Sequence, residues 1–200
     1  MSLMPEFELG LWNAWVLAIP MMIIFLSEVR VAAARESNVE KKGLEYLTTK
    51  ERRILYGVSL TIFVSFVYTV FLPLQLGTTW FFVGLVIYLS GLIFVSIAIL
   101  NFASTPKNKL VTKGLYHVSR NPMNMGWLIM NVGLSVACAS WLYLMLTVVL
   151  MILINATTSS EERWCLETYG DAYREYMSRT PRWIGIPKSG KKTNNSSLSV

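Results

Sequence analysis

The stretch that decides the fold runs from Met125 to Ile154 and reads MGWLIMNVGLSVACASWLYLMLTVVLMILI. Its 30 residues include no Lys, Arg, Asp or Glu. A hydrocarbon core about 30 Å thick needs roughly 20 apolar residues per helix, so this stretch is long for one span and short for two. Small residues precede Trp141, an aromatic suited to a membrane interface. We therefore expect a tight helical hairpin that turns near Ala137 to Trp141, with one long tilted helix as the alternative.

Three other apolar runs have membrane length and no internal charge: Leu9 to Ser27, Ile54 to Leu76, and Trp80 to Leu100. The chain is 54% hydrophobic and 15% charged, with a mean hydropathy of +0.46, which is too apolar for an ordinary soluble domain. The sequence predicts an all-α, polytopic membrane helix bundle of about five transmembrane helices, the last two forming the short hairpin, followed by a cytoplasmic C-terminal helix. Residues 1–187 form one predicted domain, and the Lys-, Asn- and Ser-rich tail at 188–200 is expected to be disordered.

Basic residues indicate the orientation. All 18 Lys and Arg residues lie at 30–53, 107–120 and 163–192, whereas the loop at 77–79 and the hairpin turn have none. Because cytoplasmic loops collect Lys and Arg, we expect the N-terminus outside and the C-terminus in the cytoplasm. The same charges suit a bilayer surface better than nucleic acid, for which no binding module is present. With His117 as the lone histidine, no metal site is predicted, and Cys138 and Cys165 are interpreted as packing thiols.

A polar connector links the third span to the hairpin. It contains NKLVTKGLY at 108–116 and SRNPM at 119–123. Asn121 precedes a proline and is disfavoured in a helix, so a helix should begin at Pro122 with N–H groups available to an anionic or polar ligand. The plain alternative is a connecting loop with interfacial aromatics and orienting charges.

A second polar stretch begins with Glu161, Glu162 and Arg163 at the end of the last apolar run. If this stretch continues the last span as a helix, one face of the helix carries a stripe of side chains that could fold back against the connector. The stripe consists of Glu162, Leu166, Tyr169, Tyr173 and Tyr176. Glu161, at the membrane border, is a candidate ligand group. The alternative is that both carboxylates only pair with Arg163, Arg120 or the lysines.

Together these strings, with Pro181 beyond them, resemble the integral-membrane methyltransferases typified by isoprenylcysteine carboxyl methyltransferase and the phospholipid N-methyltransferases, over about residues 100–183. The resemblance implies an S-adenosylmethionine pocket on the cytoplasmic side, walled by the last two spans and closed by the connector and the C-terminal segment. Glu161 would hold the amino-acid end of the cofactor. The other implied cofactor contacts are Asn108, Lys109, Leu110, Val111, Tyr116, Asn121, Pro122, Met123 and Asn124.

The chain departs from the family pattern in ways that bear on the acceptor. Asn108 and Asn121 stand where the family commonly has His, and Asn124 stands where it has Tyr. Thr157, a candidate substrate contact, occupies the position where the carboxyl methyltransferases usually place an Arg. A phospholipid amine or another lipophilic acceptor in the bilayer is therefore at least as good an expectation as a prenylated cysteine.

Glu162 and Arg163 are the candidate catalytic residues, because either could manage the acceptor's proton or charge. Two alternatives to methyl transfer stay open. One is an NADPH-dependent membrane sterol or steroid reductase of related fold, which would need clustered basic residues near Lys107, Lys109 and Arg120. The other is a catalytically inactive lipid-binding protein. The oligomeric state stays open as well.

Overall fold

The chain is a bundle of helices that runs back and forth across a membrane. The computed structural model describes residues 10–35, 47–107 and 109–184, and within them only helices, turns and an isolated bridge occur. The six α-helices are α1 (Trp15–Arg35), α2 (Thr49–Phe71), α3 (Thr79–Ala103), α4 (Pro122–Ala137), α5 (Trp141–Tyr169) and α6 (Asp171–Arg179), with a 3₁₀ turn at Gly114–His117. Of these, α1, α2, α3 and α5 are long and apolar enough to cross a membrane. The predicted multi-pass helical fold is confirmed, whereas the predicted disordered tail at 188–200 lies outside the described residues.

The hairpin turns where the sequence predicts. Helix α4 ends at Ala137 and α5 begins at Trp141. The Ser140 hydroxyl accepts a hydrogen bond from the Tyr143 N–H at 3.2 Å and so caps α5, and Ala139 has a φ of 50°. These features rule out the single tilted helix. Helix α4 has only 16 residues, which is shorter than a typical span, and it forms the short arm of the hairpin.

Two helix boundaries differ from the predicted apolar runs. Helix α1 begins at Trp15, because residues 13 and 14 bond to the end of α2: the Asn13 amide donates to the Val70 carbonyl and the Ala14 N–H donates to the Leu72 carbonyl, both at 2.8 Å. Helix α2 begins at Thr49 because Thr48 and Glu51 form a reciprocal capping box.

Four glycines bring α3 and α4 into backbone contact. Gly84 and Gly91 on α3 face Gly133 and Gly126 on α4. A Cβ built on Gly84 would lie 2.2 Å from the Ala137 nitrogen, so only glycine fits there at this separation. In a bilayer, where burying apolar side chains gives little driving force, small residues of this kind permit the close packing that holds helices together.

Tyrosine hydroxyls join the other helices across the apolar interior. The Tyr88 hydroxyl on α3 donates to the Leu17 carbonyl on α1 at 2.7 Å. The Tyr143 hydroxyl on α5 donates to the Asn131 side-chain oxygen on α4 at 2.9 Å. Both hydroxyls lie among buried residues, where an unpaired polar group is costly. These bonds fix how α1 and α5 lie against the α3–α4 pair.

The last span and the C-terminal helix are separate helices rather than one continuous helix. Gly170, with a φ of 55°, ends α5 and precedes α6. Glycine adopts this left-handed conformation without a Cβ penalty. The predicted stripe from Glu162 to Tyr176 is therefore broken, but the break turns α6 back so that Tyr173 and Tyr176 are buried.

We predict that Gly133→Ala destabilises the fold by at least about 2 kcal/mol, because the new Cβ would lie 2.3 Å from the Tyr88 nitrogen and overpacking costs typically ~1–3 kcal/mol. The measurement is the temperature at which the detergent-purified protein loses its monodisperse size-exclusion peak. The matched control is Gly57→Ala, whose Cβ would meet only Leu153 methyl groups at 3.7 and 3.8 Å and should be tolerated. Equal melting of the two variants would contradict the packing argument.

Candidate functional site

A cavity of about 570 Å³ opens where the connector, α5 and α6 meet the ends of α1 and α2. Its volume is in the range typical of small-molecule sites. The cavity wall includes most residues that the sequence singled out: Lys109, Leu110, Val111, Tyr116, Asn121, Pro122, Met123, Asn124, Thr157, Glu161 and Glu162. The structure therefore brings the two polar stretches together around one space.

The connector and the C-terminal segment are held to each other by hydrogen bonds. The Tyr176 hydroxyl on α6 donates to the Tyr116 carbonyl at 2.6 Å. The Arg120 N–H donates to the Pro181 carbonyl at 3.0 Å, and the Asn121 side-chain amide donates to the Arg182 carbonyl at 3.1 Å. Burial raises the pKa of the Tyr176 phenol, which keeps it protonated as a donor. These bonds close one side of the cavity.

Glu162 is fully engaged in an ion cluster. Arg120 donates to its carboxylate from Nε at 3.0 Å and from Nη2 at 2.7 Å, and Arg182 donates to both of its oxygens. The Arg120 and Glu162 side chains are only 10% and 9% exposed. Arg120 also donates to the Thr180 carbonyl at 2.8 Å. The cluster therefore connects α5, the connector and the residues after α6.

Glu161, the neighbouring carboxylate, lies on the cavity wall and takes no part in this ion cluster. Residues adjacent in a helix point about 100° apart, and Glu161 is exposed where it lines the cavity. Among the described residues its carboxylate makes no hydrogen bond or salt bridge. Of the two consecutive carboxylates, Glu162 is neutralised by arginines and Glu161 is available to a ligand.

The first turn of α4 also faces the cavity. Pro122, Met123 and Asn124 line it, and Pro122 occupies the first helical turn as predicted. The N-cap residue Asn121 makes no side-chain capping bond, because its amide group is turned to the Arg182 carbonyl. The helix N-terminus therefore presents uncapped N–H groups, a favourable environment for an anionic ligand group.

Aromatic rings form another part of the wall. Tyr116 stacks on Phe102 with their centroids 6.4 Å apart, and Trp164 packs edge-on against Tyr169 at 6.3 Å. All four residues line the cavity. Aromatic faces suit both a flat heterocycle and a cation.

Of the predicted site residues, one lies away from the cavity and another is not described. Arg163 lies outside the cavity lining and donates to both oxygens of Glu51 at 2.8 and 3.0 Å, so it ties α5 to the start of α2. Asn108 lies outside the described residues.

Within the described part of the chain, no group of three or more His, Cys, Asp or Glu side chains could hold a metal ion. Cys138 is buried in the hairpin, whereas Cys165 lines the cavity.

Sequence reasoning missed Glu28 and Arg182. Glu28 lines the cavity from α1, and its carboxylate accepts a 2.8 Å hydrogen bond from the Trp127 indole. It follows Ser27 directly, so a predicted span that ends at Ser27 excludes it. A carboxylate in an apolar helix is itself a signal of function. Arg182 carried no such signal, because only the folded C-terminus brings it to Glu162.

Comparison with known proteins gives one family. A family model described as phospholipid methyltransferase matches residues 74–172, which run from just after α2 to the start of α6. This match confirms the resemblance predicted from the two polar stretches. No curated protein and no solved structure matched the chain significantly.

We predict that Glu162→Ala costs about 3–5 kcal/mol of stability, the usual cost of removing one partner from a buried ion pair, because Arg120 then lacks a counter-charge. The variant should melt at a lower temperature and lose its C-terminal segment faster to trypsin. The control is Glu175→Ala, whose partner Arg179 is exposed, and the expected change is within about 1 kcal/mol. Similar behaviour of the two variants would contradict a structural role for the cluster.

Proposed function

We infer that the cavity binds S-adenosylmethionine and that the protein transfers the methyl group of this cofactor to a lipid-like acceptor. The basis of this inference is that residues 74–172 belong to the phospholipid methyltransferase family. The observation that carries this proposal is the pairing of the unengaged Glu161 carboxylate with the uncapped N-terminus of α4 on one cavity wall. An amino acid's ammonium and carboxylate need this combination of an anion and exposed N–H donors.

The residues present fit this cofactor. Glu161 would accept hydrogen bonds from its ammonium group. The first turn of α4 would bind its carboxylate, with Lys109 supplying positive charge on the same wall. The stacked rings of Tyr116 and Phe102 offer aromatic surface for the adenine or the sulfonium. Each part of the cofactor therefore has a chemically matched partner.

The reaction requires the protein to position the reactants more than to transfer protons. The cofactor supplies an electrophilic methyl group on a positively charged sulfur. The chain's task is to hold an acceptor atom in line behind that methyl carbon and to exclude water. The apolar parts of α2 and α5 that line the cavity, Leu55 and Trp164 among them, would exclude water on the side facing the bilayer.

Thr157 would contact the acceptor as an uncharged group. It lines the cavity one turn before Glu161, and its hydroxyl donates to the Ile154 carbonyl at 2.8 Å, which leaves its oxygen as an acceptor. For Glu162 and Arg163, first considered as catalytic, the contacts support positioning roles. Glu162 holds the connector through Arg120, and Arg163 holds α2 through Glu51.

We also propose that the cavity opens toward the cytoplasm. The basic residues that the structure describes within 30–53, 107–120 and 163–182 belong to the same end of the bundle as the connector and α6, and cytoplasmic ends collect such residues. The N-terminus would then lie outside and the C-terminus inside. This orientation gives the site access to the cytoplasmic pool of the cofactor.

We predict that Glu161→Gln weakens S-adenosylmethionine binding at least about tenfold, equivalent to about 1.4 kcal/mol, because the cofactor's ammonium loses its counter-charge. The fold should be unchanged, since Glu161 has no hydrogen bond or salt bridge to lose within the described part of the chain. Isothermal titration calorimetry of the detergent-purified variants measures both affinity and stoichiometry.

The matched control is Glu167→Gln, which removes a carboxylate from an exposed position of α5 outside the cavity lining; its affinity should equal that of the wild type. Unchanged affinity in Glu161→Gln would contradict the proposed pocket. Binding of NADPH without any binding of S-adenosylmethionine would favour a reductase instead, and binding of neither would favour an inactive lipid-binding protein.

A further inference from the structure

A short strap, residues 180–184, follows α6 and takes no part in lining the cavity. Its backbone holds the connector, because the Arg182 carbonyl accepts a hydrogen bond from the Ser119 hydroxyl at 3.2 Å and another from the Asn121 amide at 3.1 Å. Its side chains, in contrast, extend along α5. The strap therefore joins the connector to the outer surface of the last span.

The strap side chains contact one face of α5. Arg182 donates to both oxygens of Glu162, and its Nη1 lies 3.5 Å from the Ser159 hydroxyl. The Trp183 indole donates to the side-chain oxygen of Asn155 at 3.2 Å. These three positions of α5 are separated by three and four residues, which is the spacing of neighbours on one helix face. The strap therefore runs back along α5, from the level of the connector toward the hairpin end.

The face of α5 that receives the strap is a lipid-facing one. Helix α5 is one of the helices able to cross a membrane, and Asn155 is exposed on it. Steps of three and four residues lead from Asn155 toward the hairpin turn along a stripe of exposed apolar side chains: Ile152, Val148, Met145 and Trp141. Exposed apolar side chains on a membrane span contact hydrocarbon. The strap therefore lies on the continuation of a surface that lipid covers.

Distances along α5 place Asn155 inside the hydrocarbon region. Trp141, at the start of α5, is an aromatic suited to one membrane interface. Asn155 lies about 21 Å along the helix from it, whereas the hydrocarbon core is about 30 Å thick. Glu162, at about 32 Å, lies at the opposite boundary. A tilted helix covers less depth per residue, so tilt keeps Asn155 inside. The indole that binds Asn155 must therefore reach into the membrane.

The chemistry of the strap suits that depth. A polar amide on a lipid-facing surface needs a hydrogen-bond partner, because water is not available to it there. Trp183 supplies the partner for the Asn155 oxygen, and its ring is apolar apart from this N–H, the combination that favours tryptophan at membrane interfaces. Ile184, the next residue, is apolar and 74% exposed, which is unfavourable in water and favourable in lipid.

We propose that Trp183 and Ile184 insert into the lipid leaflet at the connector end of the bundle, so that the strap is an interfacial anchor. The partner is the bilayer itself, and the bond to Asn155 sets the depth of the indole. The strap carries the connector with it through the Arg182 carbonyl. One wall of the cavity is therefore held by contact with lipid as well as by the ion cluster. This inference does not depend on which reaction the cavity supports.

We predict that a nitroxide label attached at Ile184→Cys contacts lipid. The label is introduced into a Cys165→Ser background, in which the remaining Cys138 is buried, and the protein is reconstituted in phosphatidylcholine nanodiscs. Power-saturation electron paramagnetic resonance should show high accessibility to oxygen, which concentrates in lipid. It should show low accessibility to a water-soluble nickel chelate.

Two further labels calibrate this measurement. Ile152→Cys lies on the lipid-facing stripe, where the native side chain is 64% exposed, and its label should resemble that at position 184. Arg174→Cys lies on α6, where the native side chain is 74% exposed, and its label should favour the nickel chelate. We expect the ratio of oxygen to nickel accessibility to be several-fold higher at position 184 than at position 174.

Variants of Trp183 test which group anchors the strap. Trp183→Phe keeps an apolar ring, so the label at position 184 should stay in lipid. Trp183→Ser removes the ring, so the same label should become more accessible to the nickel chelate. Neither change touches α6, and the label at position 174 should therefore give the same values in both variants.

A label at position 184 that is as accessible to nickel as the label at position 174 would overturn the inference, because the strap would then lie in water. Shielding from both reagents would overturn it as well, since another part of the chain or a second copy would then cover the strap. So would unchanged accessibility in Trp183→Ser. The measurements use no cofactor, so a failure of the proposed methyl transfer shows up separately, as a wild type that binds no S-adenosylmethionine.

Discussion

The backbone contact between α3 and α4 is the constraint on which the rest of the structure depends. Four glycines allow it, and Tyr88 and Ala137 leave no space for a side chain there. The contact fixes the height of α4, and the hairpin turn then fixes where α5 starts. With a rise of about 1.5 Å per residue, α4 spans about 22 Å, whereas Glu161 lies about 30 Å from the start of α5. Glu161 therefore reaches past the start of α4, to the level of the connector.

Two adjacent glutamates illustrate how one helix serves both stability and binding. Glu162 points to Arg120 and Arg182 and is neutralised, so it holds the connector and the C-terminal segment in place. Glu161 lines the cavity and has no hydrogen bond or salt bridge among the described residues. Without Glu162, the connector and the C-terminal segment would not be held in place, and the cavity that Glu161 lines would be open on one side. The site thus depends on a salt bridge that need not touch any ligand.

Regular patterns in the sequence predicted much of this structure, and long-range contacts account for the remainder. The apolar runs and the small residues before Trp141 were enough to predict the bundle and the hairpin, and Pro122 was enough to predict the start of α4. The start of α1 could not be predicted in the same way, because Asn13 and Ala14 bond to α2 residues nearly sixty positions away. The role of Arg182 could not be predicted for a similar reason. Its role exists only once Gly170 has turned α6 back toward the connector.

The contrast between the two cysteines has a practical consequence. Cys138 is enclosed in the hairpin turn with none of its surface exposed, whereas Cys165 forms part of the cavity wall. A maleimide fluorophore offered to the unmodified folded chain thus has one accessible thiol among the described residues. The rate of its attachment would report whether the cavity is occupied, since a molecule that fills the cavity shields that sulfur from the reagent.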